Sequence, residues 1–154
     1  MEIAELVTPK SVVSHLRSAS KKQALQDLAH HASGLAEISE RAIFDALLER
    51  ERLGTTGVGL GIAIPHAKLP ELDTLHGLFA RADTPIDFDS IDEQPVDLIF
   101  LLLAPETAGA DHLKALARVS RLLRNSGVCE TLRGADSGEA IYALLTEAEA
   151  SQAA

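Results

Sequence analysis

The hydrophobic positions of this chain change period several times, and each change marks an element. Ala24, Leu25, Leu28, Ala29 and Ala32 recur at helical spacing, which lays one face of a helix against a core. Ser20-Lys-Lys-Gln stands just before them as a capping box, with Ser20 capping and Gln23 reaching back, and Gly34 is the expected stop. A second helix is predicted from Ser39, with Ile43, Phe44, Leu47 and Leu48 inward and its end before Gly54. The period then shortens. GIAIP is apolar and branched, and reads as a buried strand closed by Pro65. HGLFARAD alternates, with Leu78 and Ala80 on one face, and VDLIFLLLAP (Val96–Pro105) is the continuous apolar run of a central strand. Residues 109–125 return to helical spacing, with Leu113, Leu116, Ala117 and Leu123 as the expected inward face. A last helix is predicted from near Asp136, where Asp-Ser-Gly-Glu forms another capping box. Residues 1–19 offer only the short apolar piece Val12-Val13. Interleaved helices and strands predict an α/β domain, a small mixed sheet of about five strands flanked by helices.

Composition narrows the class. A chain of 154 residues suits one domain, residues 1–154, with about 1–4 and 148–154 expected to fray. Aromatic residues make up only 3% against 46% apolar residues, so aliphatic side chains must fill the core. No apolar run approaches the roughly 20 residues that cross a bilayer, so no membrane insertion is expected. The start, MEIAELVTPK, lacks the basic leader and apolar core of a secretory signal. The single cysteine, Cys129, has no internal disulfide partner, which fits the reducing cytoplasm, and reads as a small packing residue. The formal charge of −9 argues against nucleic acid as the main partner and suits a basic protein partner better.

The chemistry gathers between Leu48 and Leu69, LERERLGTTGVGLGIAIPHAKL. Gly54, Gly57, Gly59 and Gly61 follow a helix and precede a strand, the reverse of a dinucleotide fingerprint, and no Gly-Lys-Ser/Thr follows to make a P-loop. Such glycines let backbone N–H groups approach an anion closely, and Thr55 and Thr56 add hydroxyls beside Gly57. His66 follows Pro65 at the end of a rigid strand, with Arg50 and Arg52 just upstream. His112 falls in the first turn of the helix after the long strand, where helix N–H groups favour anions. His66, His112, an arginine and threonine hydroxyls in one pocket would suit a phosphoryl group. His30 and His31 are adjacent on a helix and point about 100° apart; with His15 and His76 they read as surface or partly buried residues. No spacing of metal ligands and no Gly-x-Ser-x-Gly elbow is present, so neither a metal nor a serine nucleophile is expected.

RERLGTTGVGLGIAIPHAK (Arg50–Lys68) resembles the active-site block of the fructose/mannitol-type enzyme IIA domains of the bacterial phosphotransferase system. QPVDLIFLLLAP resembles that family's central strand, and DHLKALARVSRLLR its second-histidine helix. SASKKQAL and the stretch Ile91–Asp97 look more like the nitrogen-regulatory branch than the sugar-transporting ones. The resemblance implies the enzyme IIA fructose/mannitol-type fold, His66 as phosphoryl acceptor, Arg50 as the phosphate-neutralising arginine and His112 as its hydrogen-bonding support. Arg52 falls where a lysine is often found, and Ala67 where many members have glycine. It further implies a phosphohistidine carrier that works without cofactor or metal. Phosphate would come from a small histidine carrier protein, and signalling would run through phosphorylation-dependent binding to regulatory targets. A homodimer is compatible with it. Two alternatives stay open: the IIA component of a sugar permease, handing phosphate to a IIB domain, and an interaction module indifferent to phosphate.

Overall fold

The computed structural model describes the backbone of residues 2–153 and the side chains of residues 2–147. Side chains 148–154, part of the end expected to fray, lie outside the described residues. At the other end a short helix, α1 (Ile3–Leu6), buries both of its terminal residues, which ties the chain into the core from Ile3 onward.

A mixed sheet organises the molecule, with strand order β1-β5-β6-β3-β2. Its spine is β6 (Val96–Pro105), whose residues are buried on both faces as the uninterrupted apolar run requires. β5 (His76–Ile86) lies antiparallel to it, and β1 (Val12–Leu16) runs parallel to β5 at the edge. Along the other side of β6 lie β3 (Ile62–Ala63) and β4 (His66–Leu69), both parallel. Ile62 faces Leu98, Ala63 faces Ile99, and His66 faces Leu102, a single register with a gap at Ile64-Pro65. The six strands therefore occupy five positions across the sheet. Pro65 does not close the strand as expected, because the ladder asks it only for an acceptor: its carbonyl takes the Leu102 N–H at 2.9 Å. β2 (Gly57–Gly59) turns back antiparallel on β3 and forms the second edge.

Two helical layers cover the sheet. On one face α2 (Lys21–Ala36) and α3 (Glu40–Arg52) pack against Ile99, Leu101 and Leu103; on the other, α1, α4 (Ala110–Leu123), α5 (Ser126–Gly134) and α6 (Gly138–Ala153) pack against Leu98, Phe100 and Leu102. Ser20 and Ser39 cap α2 and α3 through their hydroxyls. The Gln23 side chain bonds Asp27 instead of completing the box. α2 runs through Gly34 and stops at Glu37, whose φ of 57 supplies the left-handed turn. Where one final helix was expected there are two, α5 capped by Asn125 and α6 started by Ser137 rather than Asp136. The inward face of α4 is also displaced: His112, Ala115, Val119, Leu122 and Leu123 are buried, whereas Leu113 and Ala117 are exposed.

Candidate functional site

α3 ends just where β4 begins, and the two elements bring Arg50 to His66. The His66 Nδ1 lies 2.9 Å from the Ile64 carbonyl. A carbonyl only accepts, so Nδ1 carries the proton and Nε2 is left with a free lone pair. The Arg50 Nε–H donates to that Nε2 at 3.3 Å, and Arg50 Nη1 donates to the Gly54 carbonyl at 2.8 Å, which fixes the guanidinium at the Nε2 edge of the ring. Arginine and histidine are thus in direct contact, with no phosphate-sized gap between them. Burial first, then the Arg50 charge, hold the His66 imidazole below its ordinary pKa, against the opposing Ile64 contact. The neutral, nucleophilic ring is the form this setting favours.

His112 completes the pair. Its ring meets that of His66 edge-on, with centroids 5.7 Å apart. It is buried, and its Nε2 has no hydrogen-bond partner among the described residues. Burial lowers its pKa, with the neighbouring His66 and Lys68 adding to the effect. A buried ring nitrogen without a partner beside the His66 ring is a polar group with its hydrogen bond still to be made. That cavity, about 650 Å³, is lined by Arg50, His66, Lys68 and His112 together with Leu53 and Leu113. The two leucines are 83% and 69% exposed and set apolar side chains beside the Arg50 and Lys68 charges, with Glu49 also in the lining.

Thr55, Thr56 and Gly57 are not part of this cavity, contrary to the sequence expectation. The Thr55 hydroxyl donates to the Phe88 carbonyl and receives the Gly57 N–H, while Thr56 gives both its N–H and its hydroxyl to the Glu51 carboxylate at 2.8 and 2.6 Å. Both hydroxyls and the Thr56 and Gly57 N–H groups thus fasten the loop after α3 and are taken by acceptors of the protein itself. Glu51, buried at the end of α3, also pairs with Lys21 Nζ at 3.3 Å. By locking its own turn of helix it positions Arg50, its neighbour.

Lys68 was overlooked as a cavity residue. Its place two residues after His66 on a strand puts both on one face, a signal available from the alternation alone. Ala67, between them, points into the core and pairs with Leu103 in regular register, so a methyl group fits where many relatives of the resembled family have glycine. Arg52 is exposed and outside the cavity. His15 and His30 are surface residues bonded to Asp83 and Glu40, and Cys129 is a buried packing residue with its thiol on the Leu123 carbonyl.

Residues 5–148 match the profile of the family described as phosphoenolpyruvate-dependent sugar phosphotransferase system, EIIA 2. The chain belongs to this family. A nitrogen regulatory protein of Bradyrhizobium diazoefficiens is 59% identical over 145 residues, covering 94% of this chain and 95% of the relative. The nitrogen regulatory protein of Escherichia coli K12 is 40% identical over 151 residues, covering 97% and 92%. The crystal structure of nitrogen regulatory protein IIA-Ntr from Neisseria meningitidis superposes with a TM-score of 0.89 at 33% identity, covering 94% of this chain and 99% of that one. By these identities the chain groups with the nitrogen-regulatory branch. Among the described residues no helix is long and apolar enough to cross a membrane.

Proposed function

We propose that this protein accepts a phosphoryl group on His66 Nε2 from a phosphorylated small histidine carrier protein, and that the phosphorylated and free forms are read by regulatory partners. One observation carries the reading: Nδ1 is pinned to a carbonyl, which leaves Nε2 unprotonated and facing the Arg50 guanidinium at 3.3 Å.

In the transfer, the Nε2 lone pair forms a bond to the donor's phosphorus as the donor's own P–N bond breaks, and that electron pair stays on the donor ring nitrogen. His66 keeps its Nδ1 proton on the Ile64 carbonyl. The Arg50 Nε–H moves from the ring to the phosphoryl oxygens, and His112 Nε2 donates to another once it carries a proton. Phosphoryl transfer leaves little covalent work to the protein, so placement and charge do most of it. The exposed Leu53 and Leu113 offer the carrier an apolar seat around the reacting atoms. Phosphorylation adds roughly 1.5 to 2 negative charges at this rim, enough to change a partner's fit without refolding.

The direct experiment supplies phosphoenolpyruvate, enzyme I and the small carrier to the purified protein and maps acid-labile phosphate by mass spectrometry. Phosphate on His66 is the expected result; labelling of any other histidine, or none with donors shown to be competent, defeats the reading.

A further inference from the structure

We propose that the end of the sheet remote from His66 is a second docking surface, built for a protein segment that presents a lysine or arginine beside an apolar side chain. The argument begins with the loop between β5 and β6. A recess of about 530 Å³ there is lined by Asp87, Asp89, Ser90, Glu93 and Pro95. Ser90 is only 5% exposed, and its hydroxyl has no hydrogen-bond partner among the described residues. That hydroxyl is turned onto Gly57 of β2, and the recess beside it is lined by three carboxylates, which suit an ammonium or guanidinium. Of the protein's own cations, Lys21 reaches Asp89 at 3.2 Å but is shared with Glu51, so the recess keeps a surplus of negative charge.

The apolar half of the surface adjoins the acidic half. Ile91, next to Ser90, is 79% exposed, and Leu60 and Val58 on the neighbouring β2 hairpin are 70% and 49% exposed. The Leu60 N–H donates to the Asp92 carboxylate at 2.9 Å, which joins the hairpin to the loop. Leu60 is held there at φ 60, a conformation leucine rarely adopts, and this keeps its side chain in solvent instead of in the core.

Charge selects the occupant. A second copy of this chain would bring acidic loop against acidic loop on a molecule of formal charge −9, and nucleic acid or an anionic lipid surface meets the same repulsion. A basic and apolar protein segment satisfies the carboxylates and the exposed leucine and isoleucine together. Leu60 and Gly61 adjoin the Leu98 end of β6, and His66 pairs at Leu102, so the two surfaces lie toward opposite ends of one strand and share no lining residue. The inference therefore stands apart from the phosphoryl reading.

The test is an NMR titration of the full, unphosphorylated chain with a short peptide of alternating lysine and leucine, and in parallel with its glutamate–leucine counterpart. The lysine peptide should produce saturable shifts at the Val58, Leu60 and Ile91 methyls, and the glutamate peptide none. Asp87→Asn with Glu93→Gln, which keeps an acceptor for the Asp89 N–H, should weaken binding about fivefold. Leu60→Ser with Ile91→Ser should weaken it about tenfold; a dispersed amide spectrum checks that each variant is folded. Equal responses to both peptides, shifts centred on Leu53 and Leu113, or no saturable response would overturn the proposal. So would concentration-dependent shifts of the same methyls without peptide, which would assign the surface to self-association.

Discussion

His66 and His30 both have a ring nitrogen within hydrogen-bonding distance of an oxygen, at 2.9 and 2.8 Å, yet the oxygens differ in kind. At His30 the oxygen belongs to Glu40, and at His15 to Asp83; both carboxyls are held below their usual pKa, chiefly by that histidine contact. A carboxylate stabilises a positively charged ring, whereas a backbone carbonyl fixes the tautomer and a guanidinium penalises the charge. His66 has the second arrangement, together with the burial that His15 and His30 lack. A nucleophilic imidazole is therefore recognised by what faces each of its two nitrogens.

The comparison breaks at once if the wrong ring reacts. His66→Ala should abolish phosphate labelling, while His15→Gln and His30→Gln leave it at the wild-type rate, read by mass spectrometry after incubation with the carrier. Next in size is the cation. Arg50→Ala should slow transfer about 100-fold in a rapid-quench measurement, the scale expected when a preorganised charge at a developing oxyanion is lost. Arg50→Lys should recover only part of this, since an ammonium cannot hold both the Gly54 carbonyl and a phosphoryl oxygen in one plane.

Glu51 sharpens the contrast from the carboxylate side. Unlike Asp83 and Glu40 it is buried, and it accepts from the Thr56 N–H, the Thr56 hydroxyl and Lys21. Glu51→Ala leaves the buried Thr56 N–H and hydroxyl without an acceptor, while Lys21 keeps Asp89 and the Phe88 carbonyl, and should cost about 3 kcal/mol in a urea melt. It should also slow transfer, because the helix end carrying Arg50 loses its clamp. His112→Ala should have a smaller effect, about tenfold on the transfer rate, with the label still on His66.

How much of this could be read from the chain depended on whether one physical signal dominated. β6 was legible because both its faces are buried, and α3 because a serine cap and a clean apolar stripe agree. That an arginine at the end of α3 would meet His66 was legible as a helix end meeting a strand; that it is Arg50 and not Arg52 came from the family resemblance. The phase of α4 was not, because its seam runs through His112, and a polar residue in an apolar stripe shifts the apparent face by one position. α5 was missed as a short helix, and Pro65 was read as a stop although its place in the ladder needs no N–H. The threonine hydroxyls were assigned to an anion because sequence gives no sign that the Glu51 carboxylate and the Phe88 carbonyl already hold them.

The smallest effect tests the cause of the contrast most closely. With the folded pKa of His66 below the free value of about 6.5, phosphate acceptance should persist to lower pH than for an exposed imidazole and fail only when the folded ring protonates. Burial is the larger cause of the shift and Arg50 a lesser one. Arg50→Ala should therefore move the midpoint of the pH–rate profile upward, but only part of the way to the free value. Stability must follow with a fixed sign: as pH falls below about 6.5 the unfolded ring takes up its proton first, so the native state loses stability until the folded ring protonates too. His66→Gln should flatten this slope in urea melts across that window without removing it, because burial lowers His112 and His76 in the same direction. A slope unchanged by His66→Gln, or a ring that titrates in NMR at or above the free value, would mean that His66 is no better prepared for attack than His30.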